Sequence, residues 1–242
     1  MIIVTMTSWK KRIDCCGKVI ESILNSTLIP NKIYLSLSVD EFPRRESELP
    51  IGLLVLLKRH SSIVLNWVNG NTKTWKKIFP LIDEFDDDDI IITCDDDIIL
   101  PPELLKSRVD DFVKYGCKYA ISGRSDQNFF FSDLNILGAT SVYSKKMLNN
   151  WEKLMDDDLI KTYHDERTCG YILWLNGYRT KPCSKYDLNK SGLIKNNISK
   201  ILPLHKTHVY PKSREFDNLI LPKIRKITGG NIYYSFGYFK RN

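Results

Sequence analysis

The chain has 242 residues, enough for one substantial core and too few for more than one large domain with appendages. Hydrophobic residues make up 43% and charged residues 27%, which excludes a wholly disordered chain, and no apolar run approaches the length that spans a bilayer. The formal net charge of +7 suits a polyanionic partner, whether nucleic acid, anionic lipid or nucleotide phosphate, and does not choose among them.

In chain order, Ile2 to Thr7 is a β-branched run that reads as a strand. The loop Ser8-Trp9-Lys10-Lys11-Arg12 follows, and Cys15, Cys16, Val19, Ile20, Ile23 and Leu24 then recur at helical spacing. Pro30 breaks the pattern, Lys32 to Val39 reads as a second strand and Ile63 to Trp67 as a third. Trp75, Ile78, Phe79, Ile82 and Phe85 mark a helix that starts after Asn71-Thr72-Lys73 and ends in the acids Asp86 to Asp89. Ile90 to Thr93 is a buried strand running into Cys94-Asp95-Asp96-Asp97, and Pro101-Pro102 opens a helix faced by Leu104, Leu105, Val109, Phe112 and Val113. Tyr119 to Ser122 and Thr140 to Tyr143 read as strands, Lys145 to Met155 as a helix, and Arg167 to Asn176 as a helix ended by Gly177. The alternation predicts an α/β fold with a mostly parallel sheet.

The six cysteines show no paired CxxC spacing and several sit in apolar runs, so they are expected to be reduced and structural. Residues 1–12 lack the pattern of a secretory signal, and the expected location is the cytosol, with peripheral contact on the inner face of the membrane as an addition. That addition comes from the C-terminal segment. Lys212, Arg214, Lys223, Arg225, Lys226, Lys240 and Arg241 carry its charge, and Tyr233, Tyr234, Phe236, Tyr238 and Phe239 interleave with them. Such a mixture suits anionic lipid or a lipid-linked acceptor, and equally a packed extension.

Asp86 to Asp89 read as solvated loop acids. Asp95, Asp96 and Asp97 differ, because a buried strand delivers them to the end of a sheet, where ligands bind in α/β folds. Adjacent carboxylates raise one another's pKa unless positive charge joins them, and Mn²⁺ or Mg²⁺ with substrate phosphates is the natural partner. In an extended segment Asp95 and Asp97 share one side and Asp96 faces the other.

The order of strand, helix and strand, followed by Ile-Ile-Ile-Thr-Cys-Asp-Asp-Asp-Ile-Ile-Leu-Pro at 90–101, resembles the GT-A glycosyltransferases with a DXD motif, nearest to small bacterial family 2-like sugar transferases of polysaccharide assembly. The resemblance covers roughly residues 1–185. It implies a GT-A, Rossmann-like, mostly parallel sheet flanked by helices, as one catalytic domain over 1–200: a nucleotide-sugar half of about 1–102 and an acceptor-side half of about 103–200. A basic aromatic extension, 201–242, follows. It also implies that Asp97 binds the metal directly, and that Asp95 contacts the donor's ribose or reaches the metal through water. Asp96 is counted with the donor-binding residues.

In such a fold Thr7 and Ser8 lie under the nucleotide, Arg12 is a further phosphate or base contact, and Asp40 stands where similar enzymes place an acid against the base. Lys73 and Lys76 are candidates to add positive charge to the same phosphates. The implied activity is transfer of a sugar, from a UDP-sugar first among nucleotide-sugar donors, to a glycan or lipid-linked acceptor with inversion, which needs a general base. Asp165 and Glu166 are the candidates, Asp165 first. His205 and His208 are candidates for an added metal ligand of the kind some similar enzymes use, His208 first. Trp151 is a candidate to stack on a sugar, while Trp174 belongs to an apolar helix. Two other functions fit parts of the sequence. A sugar-phosphate nucleotidyltransferase shares the architecture but would want a Gly-rich turn where Thr7-Ser8-Trp9 stand. A nucleic-acid-binding module would use the basic aromatic tail, although no nucleic acid is expected as partner.

Overall fold

A computed structural model describes residues 1–124, 137–162, 164–188, 213–230 and 235–241. Its centre is a seven-stranded sheet in the order β3-β2-β1-β4-β6-β5-β7. The strands are β1 (Ile2–Thr7), β2 (Lys32–Ser38), β3 (Ile63–Val68), β4 (Ile90–Cys94), β5 (Tyr119–Ser122), β6 (Val142–Tyr143) and β7 (Arg179–Pro182). All pairings are parallel except those of β6, which runs antiparallel to β4 and β5. The apolar runs of β1, β2 and β4 are buried along nearly their whole length, as strands covered on both faces require.

The helices are α1 (Ile13–Leu24), α2 (Ile51–Arg59), α3 (Leu104–Lys114), α4 (Asp157–Thr162), α5 (Asp165–Leu175), α6 (Ser213–Thr228) and α7 (Tyr238–Arg241). In α1 the buried set Cys15, Cys16, Val19, Ile20 and Ile23 matches the periodicity read from sequence. Helix α2 was missed, because Ile-Gly-Leu-Leu-Val-Leu-Leu is apolar all round and offers no stripe to recognise.

Two predicted helices are instead broken into 3-10 turns. Residues 73–85 form Lys73–Lys77 and Phe79–Glu84, separated at Ile78. Pro80 is the cause: it has no N–H for the carbonyl four residues back, and its ring disfavours helical backbone at the residue before it. Residues 145–155 likewise form Lys145–Leu148 and Trp151–Lys153, interrupted at Asn150 in the left-handed region (φ 59°). Strand β6 is shorter than predicted: Thr140 is also left-handed (φ 64°), so although its N–H donates to the Thr93 carbonyl of β4, the regular strand begins only at Val142.

The described part of the C-terminal segment is packed. Phe216, Ile220 and Ile224 of α6 are wholly buried in the common core, while Arg225, Lys226, Lys240 and Arg241 remain exposed. The boundary expected at residue 200, together with Tyr233 and Tyr234, lies outside the described residues. All six cysteines are free thiols. Among the described residues no helix is long and apolar enough to cross a membrane.

Candidate active site

The register of the sheet builds the site. Strands β1 and β4 are parallel neighbours with Met6 opposite Cys94, so the chain leaves both at the same edge and side by side. The order also reverses there, since β2 and β3 lie to one side of β1 and the rest of the sheet to the other, which makes this edge the crevice of an open α/β sheet. Across it the Ser8 hydroxyl donates to Asp96 Oδ2 at 2.6 Å. Arg12, buried just before α1, brings Nη2 to 2.8 Å from Asp96 Oδ1 and 2.6 Å from Asp97 Oδ2. The strand ends at Cys94 and the chain turns, so strand alternation does not continue into the acids as expected: Asp96 and Asp97 meet at one guanidinium, and Asp95 faces elsewhere.

Asp95 faces Lys77, a residue not singled out from sequence. The Lys77 ammonium is buried and lies 3.2 Å from Asp95 Oδ1 and 3.0 Å from Asp165 Oδ2. Asp165 is the first residue of α5, so the acid at that N-terminus reaches the acidic trio through one lysine. Two protein cations thus divide four carboxylates between them.

Burial and these neighbours set the protonation states. Burial pushes Asp96 up to about 7, with Arg12 and Ser8 opposing and Asp97 and Asp95 adding to the rise. Burial would also raise Asp95, but Lys77, with help from Arg124 and Arg12, outweighs it and the net shift is downward. Lys77 is itself held well above its ordinary value, because Asp165, Asp95 and Glu166 overcome the desolvation of its ammonium. Glu166 is pushed up to about 8, first by burial and then by the negative charge of Asp165. Of the five carboxyl groups gathered here, Asp96 and Glu166 are thus pushed toward their protonated forms.

The two candidate bases occupy different settings. Asp165 is 4% exposed and ion-paired, whereas Glu166 is half-buried beside it with a carboxyl poised near neutrality. The Lys76 ammonium is buried against Glu41 at 3.1 Å and Asn71 at 3.0 Å. Lys73 is half-buried in left-handed backbone (φ 56°). Thr7 donates its hydroxyl to the Ser36 carbonyl at 2.7 Å, and Asp40 is exposed just past β2 with its N–H donating to Ser38 Oγ. Trp151 stacks on Phe79 with centroids 4.5 Å apart, and Trp174 packs edge-on against Phe236 in the core. His205 and His208 lie outside the described residues. Asp89, expected to be solvated, is buried and accepts the Asp86 N–H at 2.9 Å, closing its own turn.

Lys77 was missed because Lys76 fitted an α-helical phase; the 3-10 turn buries Trp75, Lys76 and Lys77 in succession. Its apolar successors Ile78-Phe79-Pro80 were the available hint. Arg124 was also missed. It follows β5 by two residues, and its charge lowers the pKa of both Asp95 and Glu166. Gly138 makes room for it, since a Cβ there would lie 2.7 Å from the Arg124 side chain.

The donor set suits a hard divalent cation in part. Among the described residues no three His, Cys, Asp or Glu side chains converge into a cage. Asp95 and Asp97, however, keep 31% and 14% of their side chains exposed, and Mg²⁺ or Mn²⁺ commonly takes only one or two carboxylates beside phosphates and water.

No family model and no curated protein matches the sequence. Among solved structures, the chain is similar to residues 1–349 of S. aureus TarS, a GT-A glycosyltransferase, with a TM-score of 0.55, 12% identity, and 93% of this chain and 65% of that one covered. It is also similar to the 2-C-methyl-D-erythritol 4-phosphate cytidylyltransferase IspD of Francisella tularensis, with a TM-score of 0.52, 12% identity, and 85% and 98% covered. A 4-diphosphocytidyl-2C-methyl-D-erythritol synthase gives a TM-score of 0.51 at 10% identity, with 83% and 94% covered. The fold is GT-A-like. At these identities the likeness is one of fold, and the GT-A-like frame is common to glycosyl- and cytidylyltransferases.

Proposed function

We propose that the protein is a divalent-cation-dependent glycosyltransferase that moves a sugar from a nucleotide-sugar, a UDP-sugar first, to a glycan or lipid-linked acceptor with inversion at the anomeric carbon. One observation carries the reading: an acid-headed helix, α5, meets the Asp95–Asp97 trio at the carboxyl edge of the sheet, with Lys77 between them. Direct sugar transfer needs both elements, a place for a leaving diphosphate and a carboxylate to deprotonate the attacking hydroxyl.

In this reading Glu166 is the general base, ahead of Asp165. Asp165 is committed to Lys77 and buried, whereas Glu166 is partly open and its carboxyl titrates near working pH, where a base is most effective. The acceptor oxygen attacks the anomeric carbon as Glu166 takes its proton, the bond from that carbon to the diphosphate oxygen breaks, and the nucleoside diphosphate departs. A divalent cation held by Asp95 and Asp97 would supply Lewis-acid stabilisation of that leaving group. Arg12 keeps Asp96 and Asp97 in place, and Ser8 fixes Asp96 from the β1 side.

Purified protein supplied with nucleotide-sugars and Mn²⁺ is expected to release nucleoside diphosphate, slowly to water and faster to an acceptor. Glu166→Gln is expected to lose transfer while still binding donor, and turnover that survives full chelation would remove the metal from the scheme. A nucleotidyltransferase is the competing reading, favoured by the near-complete coverage of the cytidylyltransferase chain. Release of pyrophosphate from a nucleoside triphosphate and a sugar phosphate would establish it instead.

A further inference from the structure

Lys77 stands where three parts of the chain meet. Its own 3-10 turn lies between β3 and β4, Asp95 follows β4 on the donor side, and Asp165 opens α5, which carries the proposed base. Its side chain is only 5% exposed, as is that of Asp165, so neither charge is relieved by water. Such a group is costly: a buried ion pair can be replaced by apolar side chains of similar volume with little loss of stability, and often a gain. A fully engaged lysine at this junction therefore needs a reason other than stability. Geometry supplies one, because the ammonium fixes the separation of two carboxylates that belong to different halves of the domain.

We propose that Lys77 is a positioning residue that clamps the N-terminus of α5 to the donor-side acid Asp95, so that Glu166 is held over the donor site; the proposal rests on the glycosyltransferase reading. Asp165 is then the handle of the clamp and Glu166 the working group. Only one of the two adjacent acids can be gripped from below, since consecutive residues of a helix point about a quarter-turn or more apart. Loss of the clamp leaves the donor site formed but lets the base drift, and a misplacement of about 1 Å can cost about 10²-fold in rate.

The test compares Lys77→Met and Lys77→Arg with the wild type on the same nucleotide-sugar and acceptor. Lys77→Met is expected to lower kcat about 10²-fold, with donor KM rising as well because Asp95 loses its cation, while Lys77→Arg, which can still span two carboxylates, keeps most of kcat. Melting provides a second measure: the double variant Lys77→Met with Asp165→Asn should melt above Lys77→Met alone, because it no longer buries an unpaired Asp165. Wild-type kcat in Lys77→Met, a raised KM with unchanged kcat, or additive melting shifts would each overturn the clamp while the enzyme's function stands. Wild-type protein that turns over no nucleotide-sugar would overturn the glycosyltransferase reading itself, and the catalytic purpose of the clamp with it.

Discussion

Replacing Arg12 with Met tests the electrostatic premise of the site. Arg12 is 2% exposed, its Nη2 is 2.8 Å from Asp96 and 2.6 Å from Asp97, and those acids hold its guanidinium charged by raising a pKa that burial alone would lower. Methionine has a similar girth and no charge, so the change removes the cation without opening a large cavity. Removing one partner of a buried pair typically costs about 3–5 kcal/mol, because the other charge stays behind. At about 2–4 °C per kcal/mol for a chain of this size, the midpoint should fall by about 6–20 °C. The loss should depend on pH. Asp96 already titrates near 7 in the intact protein, and without Arg12 its folded pKa rises further. A folded pKa raised above the unfolded one gives stability that is present at low pH and lost as pH climbs through the folded value, so the deficit at pH 8 exceeds that at pH 5. Thermal melts at both pH values, with Asp96→Asn added to Arg12→Met, check the chain of reasoning. The double variant should recover part of the loss at pH 8. A variant that melts with the wild type at pH 8 would show that Arg12 does not neutralise the trio.

The same logic gives three further expectations. For Glu166, pushed up to about 8, the protonated form is favoured in the folded state; its contribution is full below about 4.5 and lost as pH rises through about 8. Glu166→Gln should therefore melt with the wild type near pH 4 and above it at pH 9, while losing transfer, and scans in chelator at both pH values read this directly. Asp97→Asn should abolish the Mn²⁺-dependent part of donor turnover while keeping the fold, and titrating Mn²⁺ against nucleoside diphosphate release would expose any retained dependence. Gly123→Ala should be destabilising by about 1–3 kcal/mol, since its Cβ would lie 1.9 Å from the Ala139 carbonyl and the backbone must shift; chemical denaturation gives the value.

What could be read from sequence was whatever local chemistry enforces. β-branched runs gave β1, β2, β3 and β4 nearly to the residue, and a Pro-Pro start gave α3. Misreadings fell where a single residue overrules periodicity: Pro80 breaks one predicted helix and left-handed Asn150 another. The site shows the same division. The trio at 95–97 could be seen because a strand announces it, and the acids at 165–166 because they head a helix. Lys77 could not be chosen over Lys76, because their spacing along the chain is silent about which turn, α or 3-10, carries them. Nor could sequence assign Arg12 to Asp96 and Asp97, a contact across more than eighty positions that exists only once β1 and β4 pair.

That pairing also bears on which reaction the frame performs. A nucleotidyltransferase must hold a triphosphate while a phosphate oxygen attacks it, and a glycine-rich turn after the first strand does this by letting backbone N–H groups approach. Here the corresponding turn carries Ser8, whose hydroxyl is spent on Asp96, and Arg12, whose guanidinium is spent on Asp96 and Asp97. The groups that could greet a triphosphate are turned inward to steady carboxylates. A phosphate nucleophile would also need no base, yet the structure sets Glu166, pushed up to about 8, beside the same edge. A hydroxyl nucleophile does need one. Both features favour an attacking acceptor hydroxyl and a departing diphosphate. The decisive comparison is whether the protein labels its product with the sugar or with the nucleotide when both halves of the donor carry distinct isotopes.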